Sequence, residues 1–169
     1  MEKEKKSILI VDEDRAILKS LKDILESEGY NVDTAETGQE AIQKSEARFY
    51  NLSLLDIKLR DMEGTELLTK MHSETPRMMK IMITGYPSLE NAVNSLNLGA
   101  DAYLMKPIDP DKLLKIVEEK LKEQEEAEKM SQEKVAEWIQ TRIRKLQGRL
   151  VDTVEHMEKR VDKMARGIA

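Results

Sequence analysis

Cysteine is absent from this chain, so neither a disulfide framework nor a thiolate-ligated metal is open to it. Histidine occurs only twice, at His72 and His156, which argues against zinc and removes the commonest general base. Any metal that belongs here is a hard ion bound by oxygen. Long apolar runs are lacking too. The N-terminal segment Met1–Lys6 mixes both charge signs and leads into an apolar stretch far too short for a signal sequence or a membrane span. The expectation is a cytoplasmic protein with no membrane partner.

Charge, by contrast, is plentiful. Charged residues make up 36% of the chain against an average of about 25%, and the hydrophobic share of 40% is slightly lean, so the surplus charge belongs on exposed helices. A length of 169 residues supports one full-sized domain with an appendage rather than two independent cores. The charge is unevenly spread: residues 1–121 carry a net −6 and residues 122–169 a net +1. These two stretches are expected to be one folded domain and one extension.

Within 1–121, strand and helix patterns alternate five times. Apolar runs of four or five residues, the mark of strands covered on both faces, each end on a polar residue. Ile8–Val11 precedes Asp12-Glu13, Leu52–Leu55 precedes Asp56, Met79–Ile83 precedes Thr84, and Ala102–Met105 precedes Lys106. A weaker strand is read at Tyr30–Ala35. Between them lie helical faces: Ile17, Leu18, Leu21, Ile24 and Leu25, then Ala41, Ile42 and Ala47, then Leu67, Leu68 and Met71. Leu89, Val93, Leu96 and Leu98 form the fourth face, and a fifth follows Asp109-Pro110, proline being favoured just inside a helix start. Five such units predict a doubly wound α/β sheet. Ligands of such sheets gather beyond the carboxyl ends of the strands, where Asp12, Glu13, Asp56, Thr84 and Lys106 would converge.

That set suits phosphoryl transfer. Asp12, Glu13 and Asp56 repel one another and stay ionised at neutral pH only beside a divalent cation, for which Mg²⁺ is the natural choice. Asp56 is the candidate nucleophile, with Lys106 pairing one phosphate oxygen and Thr84 donating a hydrogen bond to another. Taken singly, Asp12 or Asp56 is equally well explained as a strand end or a helix cap. The four strand ends in combination are not.

Ile8–Glu13, Leu54–Leu59, Ile83–Tyr86 and Tyr103–Pro107, in that order, resemble the signatures of the receiver domain of two-component response regulators over about residues 6–121. The resemblance implies a flavodoxin-like (βα)5 five-stranded parallel sheet, and Asp56 phosphorylated from a histidine kinase or phosphotransfer protein. It implies Mg²⁺ held by Glu13, Asp56 and the backbone carbonyl of Lys58, with Asp12 acting through water. It further implies that Thr84 and Tyr103 are switch residues acting on the face made by the fourth helix, fifth strand and fifth helix, and that the Lys106-Pro107 peptide is cis. Lys58 and Tyr86 occupy the positions that tune dephosphorylation, bulky Tyr86 being expected to slow it. Such a protein is a phosphoacceptor signalling protein rather than an enzyme, catalysing only its own phosphorylation and dephosphorylation. Three positions depart from the common pattern or its roles. Glu13 stands where aspartate is usual, Asp14 is not a ligand, and Arg60 replaces a frequent proline, which is expected to loosen Arg60-Asp61. Tyr103 fits plain core packing as well, and His72 is expected to face solvent.

Residues 122–169 carry no strand pattern. A new helix capped by Ser131 and one helix continuous from Asp111 both fit the sequence. Ile139, Ile143, Leu146 and Leu150 recur at 4-3-4 spacing, and Leu150, Val154, Met157, Val161 and Met164 at 4-3-4-3. Both are coiled-coil seams, joined by a stutter near Gly148. Arg142, Arg144, Lys145 and Arg149 are expected to be the wet flanks of this helix, since acidic residues adjoin them and no aromatic interleaves; nucleic acid is therefore not the expected partner. Trp138 is the expected packing anchor. The resulting expectation is a response regulator whose output is self-association or partner binding through the C-terminal helix. The alternatives are a nucleic-acid-binding regulator using Arg142–Arg149 and a constitutive coiled-coil scaffold with an idle receiver.

Overall fold

The computed structural model describes residues 4–71 and 76–168. Its elements follow in the order Ser7–Val11 (β1), Arg15–Ser27 (α1), Asn31–Ala35 (β2), Gly38–Ala47 (α2), Leu52–Asp56 (β3), Gly64–Lys70 (α3), Met79–Thr84 (β4), Leu89–Asn97 (α4), Ala102–Met105 (β5) and Pro110–Ile168 (α5). The five strands form one parallel sheet in the order β2-β1-β3-β4-β5. This is the doubly wound, flavodoxin-like arrangement that the alternating pattern predicts.

The three central strands β1, β3 and β4 bury side chains on both faces, which is why their runs are mostly apolar, whereas the edge strand β5 is only half-buried and ends on the exposed Met105. On one face Ile8, Ile10, Leu52, Leu54 and Ile81 pack with Leu18, Leu21 and Leu25 of α1 and with Leu113, Val117 and Leu121 of α5. On the other, Leu9, Val11, Leu55 and Met82 pack with Ala41 of α2 and with Leu67 and Leu68 of α3. The helix starts are set by side chains that accept from otherwise unpaired amides. Asp14 accepts from Ala16 and Ile17, Thr37 from Glu40, and Ser88 from Asn91. The chain leaves α1 and α4 through Gly29 and Gly99, both at positive φ, where a side chain would be strained.

The fourth helix departs from the sequence reading. Its apolar residues read as a packed face, yet Leu89, Val93, Leu96 and Leu98 are all exposed, and only Ser95 is buried. The loop after Asp56 also differs. Asp61 is fastened rather than loose, because its carboxylate accepts from the amides of Gly38 and Gln39 at 2.9 Å each and so caps the start of α2. The position expected for His72 lies outside the described residues.

Residues 1–126 and 127–169 form separate compact units. The helix α5 is unbroken through both, so Ser131 lies inside a helix rather than opening one. Gln124, within a stretch that reads as solvated charge, is buried in the first unit.

Candidate functional site

Strand register brings the polar residues together. Val11 pairs with Leu55, Asp56 with Ile83, and Thr84 with Met105, so Asp12, Asp56, Thr84 and Lys106 stand side by side at the carboxyl edge of the sheet. Asp12, Asp56 and Thr84 are buried. Lys106 reaches across them: its Nζ donates to Asp12 Oδ2 at 2.8 Å and to Asp56 Oδ2 at 3.4 Å. The Lys106-Pro107 peptide that delivers it is cis.

The electrostatics follow from this geometry. Burial, and then the neighbouring Asp12 charge, push the Asp56 carboxyl above the usual aspartate range despite the opposing pull of Lys106. Burial works against the charge on Lys106 as well, but its hydrogen bond to Asp12 and the charges of Asp12 and Asp56 outweigh it and hold the ammonium above the usual lysine range. Asp56 is thus a carboxylate under-supplied with positive charge.

Glu13 stands slightly apart. Its carboxylate pairs with Arg60 at 3.7 Å and its side chain is 46% exposed. Among the described residues, no three acidic or histidine side chains form a ready-made cation-binding group. The donor chemistry nevertheless fits magnesium: all the candidate groups are oxygens, two carboxylates already share one cation, and an exposed pair such as Glu13–Arg60 holds with about 1 kcal/mol or less. Release of Glu13 toward the site is therefore cheap.

Thr84 Oγ1 accepts from the Tyr86 amide at 3.0 Å, which ties the hydroxyl to the loop following β4. The Lys58 ammonium lies 5.1 Å from the centre of the Tyr86 ring, a cation–π approach, so the two expected tuning residues touch each other. Tyr86 itself is 73% exposed. The Tyr103 ring packs against the core face that holds Leu9 and Leu55, and its hydroxyl is buried without a hydrogen-bond partner among the described residues. The Asp14 side chain caps α1 by accepting from the Ala16 and Ile17 amides.

One contributor was missed in sequence. A Cβ on Gly64 would lie 2.1 Å from the carbonyl oxygen of Asp56, so only glycine lets α3 approach the back of the Asp56 loop. The sequence marks Gly64 as the end of a polar loop, and nothing local signals what it must pass.

Comparison with known proteins decides the family. The model of the response regulator receiver domain matches residues 8–118. The chain belongs to the response regulator receiver family. A CheY-like receiver domain protein from Methanospirillum hungatei JF-1 is 60% identical with a TM-score of 0.70, over 73% of this chain and 99% of that one. A response regulator from Burkholderia pseudomallei, solved with a phosphorylated aspartic acid, a calcium ion and citrate, is 28% identical with a TM-score of 0.59, over 64% of each chain. The acid tolerance regulatory protein ActR of Rhizobium meliloti is 37% identical over 64% of this chain and 56% of its own length. The alginate biosynthesis transcriptional regulatory protein AlgB of Pseudomonas syringae is 35% identical over 63% of this chain and only 24% of its own length. This chain thus spans about a quarter to a half of the curated relatives it matches.

Receiver domains are phosphoacceptor signalling domains of two-component systems rather than conventional enzymes, and they generally bind Mg²⁺ for phosphorylation. The expectation that nucleic acid is not a partner gains no support, because AlgB is by name a transcriptional regulator. No described helix is long and apolar enough to cross a membrane.

Proposed function

We propose that this chain is a phosphorylation-controlled receiver in which Asp56 takes a phosphoryl group from a histidine kinase or phosphotransfer protein. The observation that carries the reading is the placement of Asp56 beside Asp12 with Lys106 shared between them. An Asp56 carboxylate oxygen attacks the phosphorus, the P–N bond to the donor imidazole breaks, and the departing histidine nitrogen keeps the bonding electrons and takes up a proton. Lys106 then neutralises an oxygen of the acyl phosphate, and Thr84 gives its hydroxyl hydrogen to another. Magnesium held by Asp12, Glu13, Asp56 and the Lys58 carbonyl would supply further positive charge to the phosphoryl oxygens. Tyr86 and Lys58 cover the route by which water reaches the acyl phosphate, so they set its lifetime.

The output is self-association or partner binding through the C-terminal helix, reached through the face formed by α4, β5 and α5. Exposed Leu89, Val93, Leu96 and Met105 on α4 and β5 support this, since an apolar face invites a partner. A second reading, nucleic-acid binding through Arg142, Arg144, Lys145 and Arg149, is favoured by the names of two curated relatives, AlgB and ZraR, which are called transcriptional regulatory proteins. Salt-dependent retention on DNA that vanishes on charge reversal of those four residues would carry it.

Intact-mass measurement of the full chain with Mg²⁺ and acetyl phosphate tests the chemistry. A gain of about 80 Da that Asp56→Asn abolishes is expected. A chain that never gains this mass overturns the reading.

A further inference from the structure

The apolar seam of residues 135–165 is more regular than two heptad stretches joined by a stutter. It repeats every 11 residues: Ile139, Leu150 and Val161 recur together, as do Ile143, Val154 and Ala165, and as do Val135, Leu146 and Met157. Eleven residues in three turns match an α-helix more closely than seven in two, and such a repeat winds helices to the right. The helix runs unbroken through Gly148 and Leu150, where a heptad reading requires an irregularity. The larger seam residues stand 46–64% exposed, an unbroken apolar stripe in water.

The flanks of the stripe differ in sign. At matching positions beside the seam, one flank carries Arg142, Arg149 and Arg160 and no acid; the other carries Gln140, Gln147, Glu158 and Asp162 and no base. All of these residues are exposed. Two helices packed in parallel set unlike flanks against each other, and two packed antiparallel set like flanks together. In the parallel, in-register pair Arg160 of one helix lies level with Glu158 and Asp162 of the other. In the antiparallel pair the basic flanks meet.

We infer that residues 135–165 pair in parallel and in register with the same segment of a second copy of this chain, as a right-handed two-helix coil built on an 11-residue repeat. This rests on self-association being the output proposed above and fixes its partner and orientation. The two receivers are thereby attached at the same end of the coil.

The absence of cysteine allows a direct test on the full chain. Val161→Cys and Ile139→Cys variants, oxidised mildly with and without beryllofluoride, should each form a disulfide with their own kind. A mixture of the two should form no mixed disulfide. Mixed disulfides without the homodisulfides would refute the parallel orientation while leaving self-association standing. A monomeric mass at about 100 μM in both states would instead overturn self-association itself. Arg160→Glu should weaken the pair about tenfold, and adding Glu158→Lys with Asp162→Lys should restore it. An unchanged association constant for Arg160→Glu refutes the charge pairing that sets the orientation.

Discussion

Replacing Gln124 by alanine is the sharpest test of how the receiver holds its last helix. The Gln124 side chain, only 4% exposed, donates from Nε2 to the backbone carbonyls of Asn51 and Arg77 at 2.8 Å each. Its Oε1 accepts from Asn51 Nδ2 at 3.2 Å, and Asn51 Oδ1 in turn accepts from the Ser7 amide at 2.9 Å. One side chain thus ties α5 to the entry ends of β1, β3 and β4. Truncation deletes three hydrogen bonds, and the Arg77 carbonyl and the Asn51 amide lose a partner. At about 0.5–1.5 kcal/mol per bond the loss sums to about 2–4 kcal/mol. That is a large share of the roughly 5–15 kcal/mol that holds a domain together. For a domain of this size it lowers the melting temperature by roughly 6–15 °C. Differential scanning calorimetry of the full chain reads this directly, with Gln124→Leu as a variant that keeps volume but not bonds. The sign discriminates, since a solvent-facing glutamine changed to alanine gains helix propensity and leaves stability level or slightly higher. A loss below about 0.5 kcal/mol, or a gain, refutes the account of the buried amide.

Asp56→Asn should raise stability at neutral pH, because burial and Asp12 disfavour the ionised carboxylate of Asp56. The penalty is absent below the ordinary aspartate range, where folded and unfolded chains both hold the proton. It grows as pH rises through that range and is complete above the raised folded value. The advantage of the variant in thermal melts should therefore shrink as pH falls toward about 3, and a pH-independent difference counts against it. Gly64→Ala forces a Cβ to within 2.1 Å of the Asp56 carbonyl oxygen, so urea titration should show a loss above about 2 kcal/mol, together with lost phosphorylation. Gly148→Ala, which meets nothing within 4 Å, should instead gain up to about 1 kcal/mol of helix stability. Tyr86→Ala uncovers the site beside Lys58 and should shorten the acyl-phosphate lifetime by about three- to tenfold, measured by loss of radiolabel; an unchanged lifetime would contradict the shielding role.

The carboxyl edge of the sheet was legible because four of its strands announce themselves twice, by an apolar run and by the polar residue that follows it. Asp12, Asp56, Thr84 and Lys106 needed only register to be brought together, and parallel pairing supplies it. What stayed hidden depends on contacts between distant segments. Gln124 sits among charged neighbours and is buried because Asn51 and Arg77, far off in sequence, present backbone carbonyls to it. Asp61 looks like an ordinary loop acid until α2 is placed against it. The apolar residues of α4 misled in the other direction, since helical spacing of leucine and valine signals a face that seeks cover and does not say whether this chain provides it.

The weakly buried helix and the buried site meet at a single loop. Thr84 accepts the Tyr86 amide, and Tyr86 leads through Pro87 and Ser88 into α4, whose one buried residue is Ser95. An element with so little buried surface opens or shifts at small free-energy cost, whereas β3 and β4, covered on both faces, do not. If Asp56 carries a phosphoryl group, Lys106 must divide its charge among Asp12 and the new oxygens, and the Thr84 hydroxyl gains a strong acceptor. A modest electrostatic change is then delivered to the part of the receiver least able to resist it, on the side where apolar residues already stand exposed. Tyr103, on the neighbouring β5, has a buried hydroxyl with no hydrogen-bond partner among the described residues, and such a group has free energy to gain from any rearrangement that gives it one.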